Sequence, residues 1–439
     1  MMCDTTPRRI GVVTTTRADY GLLYWLLREI DDDPDLALSL WVTGSHLSSE
    51  FGLTVAEIER DGFAIERRLE ILLASDSRQA MTRAMGLALL SFGDALAESP
   101  PDLLVLLGDR FEIVPVALAA VVHGVPLVHL HGGESSEGAL DEYFRHAVTK
   151  LANVHFAATE TYRRRLLQMG EDPSRCFNVG APGLDHLHRG ELPSRSGLAA
   201  SLGIDLARPT AIATYHPTTG GQEGTAEARL DALLAAIEAH ESLQVVFSKA
   251  NADTRGRAIN ARLAEWCARH PERGKLFDNL GHRLYLGCLR HLDLMIGNSS
   301  SGLIEAPSFR LPVVNIGDRQ AGRIQAENVI AVGDDRESIH RGIARALDPA
   351  FRAGLADMVN PYDRHGDGGV ARRIKALLKR LPPGPELTRK RFFDLDDAIT
   401  QGQGGRHDRE CLIDRRAAQG AGGPASAGGD PAQDPVRHR

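Results

Sequence analysis

Short apolar runs at residues 10–14, 36–42, 103–107, 127–130 and 154–158 alternate with helical patterns. Parallel strands buried on both faces produce that alternation, because each crossover helix covers a face of the sheet. It predicts a doubly wound α/β sheet. The pattern weakens through residues 189–208 and restarts near 211–214, 243–247, 292–296 and 312–315, which predicts a second α/β unit behind a linker around 183–208. With 439 residues, 43% of them apolar, the chain can bury two cores. The expected division is 8–183, 184–369, a helix at 370–384 packing on the body, and a disordered tail at 385–439. Beyond residue 400 the chain has hardly any large apolar side chains with which to offset its ordering entropy.

Charge and composition exclude some functions. A net charge of −7 argues against a nucleic-acid binder. No apolar run reaches membrane-spanning length and residues 1–9 lack a signal-peptide core, so a soluble cytoplasmic protein is expected. Five scattered cysteines with no Cys-x-x-Cys pair indicate neither a disulfide framework nor a zinc site.

The polar motifs follow the predicted strands, where open sheets of this kind bind ligands. The run Ile296-Gly-Asn-Ser-Ser-Ser-Gly-Leu-Ile-Glu-Ala-Pro307 breaks a strand into small hydroxylated residues, and a helix is expected to open at Gly302. Ser299, Ser300, Ser301 and unpaired backbone N–H groups there suit a phosphate, and Glu305 suits a sugar hydroxyl. An ordinary serine-capped helix is the plainer alternative. Asp109 stands at a strand mouth, as helix cap or as cleft carboxylate. The next strand leads into His131-Gly-Gly-Glu134, followed by Asp141, Glu142 and Arg145, a density of titratable groups that points to acid/base chemistry. Asp141 and Arg145, spaced i, i+4, can also form a plain surface pair. No His-x-x-x-His or cysteine partner completes a zinc set, so no metal is expected. Arg17 suits a diphosphate, and Arg319 and Arg323 suit either paired carboxylates or a phosphate. Pro217 fixes the turn that aims His216 at the same cleft, and Asn251 and Asp253 follow another strand. Neither a dinucleotide glycine pattern nor a P-loop lysine is present.

Arg17-Ala-Asp-Tyr20, Gly44-Ser-His46-Leu47, Gly108-Asp-Arg110, His131-Gly-Gly-Glu134, Arg145-His-Ala147, Asn251-Ala-Asp253, Gly297-Asn-Ser-Ser-Ser-Gly302 and Gly317-Asp-Arg-Gln320 together resemble the UDP-N-acetylglucosamine 2-epimerases, most of all their hydrolysing branch. The resemblance runs in order through residues 8–381. It implies two Rossmann-like domains facing a cleft, as in glycosyltransferase-B folds, with the last helix crossing back to the first domain. It further implies the diphosphate on Ser299, Ser300 and Ser301, the ribose on Glu305, and base contacts from the backbone around Leu280. Arg17, His216, Arg319 and Arg323 would supply charge, and His46, Asn251 and Asp253 further substrate contacts. Asp109, Glu134 and Asp141 would form the acid/base set, Arg145 would orient a carboxylate, and His131 stands where some related epimerases carry a glutamate. The implied reaction is anti elimination of UDP followed by hydration, without a cofactor, giving N-acetylmannosamine for sialic acid. The same chemistry on a 2,4-diacetamido-6-deoxy sugar of the legionaminic acid route is the alternative, as is a glycosyltransferase of the same fold. A homodimer or higher homo-oligomer is expected.

Overall fold

In the computed structural model, residues 6–75, 77–137, 140–216, 225–249, 256–278 and 280–395 are described. The first sheet holds β1 (Arg8–Thr14), β2 (Leu36–Thr43), β3 (Ile65–Leu69), β4 (Leu103–Leu107), β5 (Leu127–Leu130), β6 (Val154–Ala157) and β7 (Cys176–Asn178), ordered β3-β2-β1-β4-β5-β6-β7. The second holds β8 (Thr210–Thr214), β9 (Gln244–Ser248), β10 (Gly274–Phe277), β11 (Leu294–Gly297), β12 (Val313–Ile316) and β13 (Val329–Val332), ordered β10-β9-β8-β11-β12-β13. Every neighbouring pair is parallel. The architecture is the predicted one, two doubly wound α/β domains. Among the described residues no helix is long and apolar enough to cross a membrane.

β3, β7, β10 and β13 were not anticipated, and they are the four edge strands. An edge strand is paired on one side only and carries less apolar sequence than a central one. β3 reads Ile-Glu-Arg-Arg-Leu and alternates between half-buried and exposed positions, whereas β4 is buried throughout.

Strand order reverses direction between β1 and β4 and again between β8 and β11. At each switch point the loops at the carboxyl ends diverge and leave a crevice. In the second, Gly297 is obligatory: its φ is +138°, and a Cβ would lie 1.9 Å from the carbonyl oxygen of Thr214. Asn298 then joins the two strand ends, accepting from His216 N–H and donating to His216 carbonyl, each at 2.8 Å.

The helix Val370–Arg380 returns to the first domain. Its Ile374, Leu377 and Leu378 share a core with Ile10, Leu23 and Leu27. Asp185 accepts from the N–H groups of Val370 and Ala371, both at 2.8 Å, satisfying donors the helix start leaves open. The expected tail boundary needs correction. A helix at Gly384–Thr388 follows, its Leu387 is buried in the first-domain core, and ordered packing continues to Phe393. Leu387 and the phenylalanines supply large apolar area, of which the sequence from 401 to 439 has hardly any.

Candidate active site

The loop after β1 folds around Asp19. Its carboxylate accepts from the N–H of Thr15 and Thr16, both at 3.1 Å, and from the Thr16 hydroxyl at 2.7 Å. Thr16 caps the helix Arg17–Asp31 in return, so Arg17 is presented exposed at that helix's N-terminus. His46, expected as a substrate contact, is held by two threonines. It is fully buried, with Nε2 3.0 Å from Thr14 Oγ1 and Nδ1 2.8 Å from Thr54 Oγ1, and burial lowers its pKa to about 4. With both nitrogens engaged, it braces the β1 loop.

After β4 and β5 come two carboxylates, each tied to a basic side chain. Asp109 pairs with Arg145, which also donates to Glu142 Oε2 at 2.9 Å and Ser136 Oγ at 2.8 Å. Arg145 is almost wholly buried on the helix Leu140–Leu151, and burial, with Arg323 nearby, lowers its pKa to about 9, so it stays cationic at neutral pH. Glu142 also accepts from Ser135 Oγ at 2.9 Å and Ser136 N–H at 2.5 Å. The structure thus makes Glu142 an organiser of the loop, a role absent from the sequence-based set. Its i, i+3 spacing from Arg145 was the available signal. Asp141 stands exposed in the first turn of this helix.

Glu134 is the other carboxylate, 2% exposed, with Oε1 2.6 Å from His131 Nδ1 and Oε2 3.8 Å from Arg323. Burial would raise its pKa, but the His131 imidazole and Arg323 outweigh that and hold it below the usual carboxylate value. An ionised carboxylate only accepts, so Nδ1 carries the proton and a neutral His131 has its lone pair on Nε2. That atom is buried without a partner among the described residues. His131 also has φ +62°, a left-handed conformation that costs any residue with a Cβ free energy and that clusters at functional sites.

The second domain completes the cleft. Arg323 donates to Ser136 Oγ at 3.2 Å, across the interface. Gly322 lets the loops approach: its φ is +79°, and a Cβ would sit 2.8 Å from Glu137 Oε1. Arg319 and Gln320 both donate to the Asn298 carbonyl, at 3.0 and 2.8 Å. Ser299, Ser300 and Ser301 are half-buried beside it. The helix they open, expected from Gly302, runs Ser301–Ile304, because Pro307 ends the α pattern and a 3₁₀ turn follows at Ala306–Phe309. Glu305 closes that single turn. It lies 3.5 Å from where a Cβ on Gly183 would be, burial raises its pKa, and its Oε2 is buried without a partner among the described residues.

Burial, then the charge of Arg319, lowers the pKa of His216 to about 3, so it is a neutral imidazole before any anion binds. Leu280 is buried just before the helix Gly281–His291, leaving its backbone as the available contact. Asn251 and Asp253 lie outside the described residues.

The matching profile of known proteins is that of UDP-N-acetylglucosamine 2-epimerases, over residues 28–379. The chain belongs to this family. Among individual 2-epimerases, a GDP/UDP-N,N'-diacetylbacillosamine 2-epimerase (hydrolyzing) from Campylobacter jejuni is 41% identical over 74% of this chain and 84% of its own length. A UDP-N,N'-diacetylbacillosamine 2-epimerase (hydrolyzing) from Legionella pneumophila is 37% identical over 87% and 98%. The fold matches the crystal structure of the UDP-GlcNAc 2-epimerase from Neisseria meningitidis bound to UDP-GlcNAc with a TM-score of 0.72 at 18% identity, covering 85% of this chain and 100% of that one.

Proposed function

We propose that this 2-epimerase is a hydrolysing enzyme for a UDP-linked 2-acetamido sugar. The observation that carries the proposal is the His131–Glu134 pair, an imidazole oriented by a buried carboxylate whose other oxygen lies 3.8 Å from Arg323 of the second domain. Departure of UDP breaks the C1–O bond, and the electron pair leaves with the diphosphate. Ser299, Ser300, Ser301, Arg319 and Arg17 are the donors for that charge, with Glu305 on the ribose. Oxocarbenium character at C1 acidifies C2–H. His131 Nε2 takes that proton, the C–H pair forms the C1=C2 bond, and Glu134 stabilises the imidazolium. Asp109, held by Arg145, faces the cationic carbon. Water then adds at C1, and a proton returns to C2 from the opposite face. The net change is UDP-sugar plus water giving the C2 epimer and UDP.

The names of the 41% and 37% identical relatives favour a 2,4-diacetamido-6-deoxy sugar. UDP-N-acetylglucosamine, giving N-acetylmannosamine, is the second reading, supported by a 34% identical polysialic acid biosynthesis protein of Escherichia coli. Incubation with each nucleotide sugar in deuterated water tests both. Free UDP and a C2 epimer carrying deuterium at C2 are the expected products, and an epimer retaining its original C2 hydrogen would overturn the mechanism.

A further inference from the structure

We propose that residues 386–393 form a strap that sets the position of the active-site helix Leu140–Leu151, with Lys390 as the positioning residue. The inference rests on the site assignment above. Lys390 Nζ donates to the carbonyls of Ala152 at 2.5 Å and Thr149 at 3.3 Å. These are orphan acceptors at the helix's C-terminal end, where a cation is favoured twice, by hydrogen bonding and by the helix dipole. The same ammonium pairs with Glu171 Oε2 at 2.7 Å, while Lys150 of the helix pairs with Glu171 Oε1 at 2.6 Å. One buried carboxylate therefore joins strap and helix.

Neighbouring contacts hold the strap itself. Asn153 and Arg175 donate to the Leu387 carbonyl at 3.0 and 2.8 Å, and Phe393 N–H donates to the Gly170 carbonyl at 2.9 Å. The Phe392 ring lies beneath Lys150 Nζ at 5.0 Å. All of these fix the end of the helix remote from the cleft.

The helix carries that placement to the site by two routes. Arg145, which orients Asp109, lies on it. Thr149 uses its carbonyl for Lys390 and its hydroxyl for His129 Nδ1 at 3.2 Å, and His129 Nε2 lies 2.8 Å from the Gly108 carbonyl, next to Asp109. A shift at Lys390 thus reaches Asp109 through Arg145 and through His129. A packed helix moves as a unit, and small misplacements at a reacting centre are costly.

The test compares wild type with Lys390→Met and Lys390→Arg in the full chain. Hydrogen exchange of peptides spanning 140–146, remote from the substitution, should accelerate in Lys390→Met. Its kcat should fall about tenfold at unchanged KM, and Lys390→Arg should restore both. Protection at 140–146 and kcat both unchanged, with only a lowered melting temperature, would make Lys390 a stability clamp and overturn the proposal. Should Lys390→Met not fold, Lys390→Gln is read by the same two criteria. Exchange needs no substrate, so it decides the strap even if wild type turns over no UDP-sugar, a result that would instead count against the proposed function.

Discussion

Glu134 is enclosed by His131 and Arg323, so Glu134→Gln removes a charge without opening a cavity. That substitution should cut kcat by about two to four orders of magnitude, because the imidazolium formed on proton abstraction loses its counter-charge. UDP affinity measured by calorimetry should stay near wild type, and near-normal turnover would reduce Glu134 to a loop anchor. Replacing Ser300 and Ser301 by alanine tests the other side of the cleft. A helix of one turn has little dipole, so the hydroxyls carry more of the anion binding, and UDP affinity should fall by about 1–3 kcal/mol. Unchanged affinity would return the serines to capping. Asp109, Glu134 and the serines could be proposed from sequence because each lies in the segment after a strand that its composition reveals. The charge of His46 and His216 was not legible for a physical reason: a histidine after a strand looks the same in sequence whether water reaches it or not, and burial decides its charge.

At the scale of elements, the inner strands announced themselves through continuous apolar runs, and the edge strands did not. The strap was hidden for a related reason. Its order comes from contacts with residues over 200 positions away, such as Asn153 and Arg175 with Leu387, which no local pattern displays. Leu387 is 1% exposed in the first-domain core. Leu387→Ala should therefore cost about 2–5 kcal/mol, read from denaturant unfolding, whereas a loss within about 0.5 kcal/mol would place this segment outside the cooperative fold. A chain ending at Pro383 should melt lower than one ending at Leu395. The chain ending at Leu395 should melt like the full-length protein, since residues 401–439 are polar and glycine-rich in sequence.

Across the whole molecule, neutral imidazoles buried in both domains set an acid limit. Burial lowers the pKa of His46 and His186 to about 4, and of His129, His216 and His282 to about 3, from an ordinary value of 6.5. Between those values the unfolded chain binds protons that the folded chain refuses. The unfolded state then carries more protons, so stability is full above pH 6.5 and falls as pH drops toward 4 and then 3. Each such group contributes at most about 1.4 kcal/mol per pH unit, and five titrating together make the loss steep. Glu171 adds in the same direction lower down. Burial opposes its ionisation, but His155, Lys150 and Lys390 hold its pKa at about 2, so its contribution fades as pH falls from 4.5 to that value. Thermal melts from pH 8 to 4 should be nearly flat above pH 6.5 and then decline with increasing slope. Replacing His129, which no proposed chemical step uses directly, by glutamine removes one titrating group and should flatten the decline. An unchanged slope in that variant would mean that His129 is protonated in the folded state, contrary to its burial.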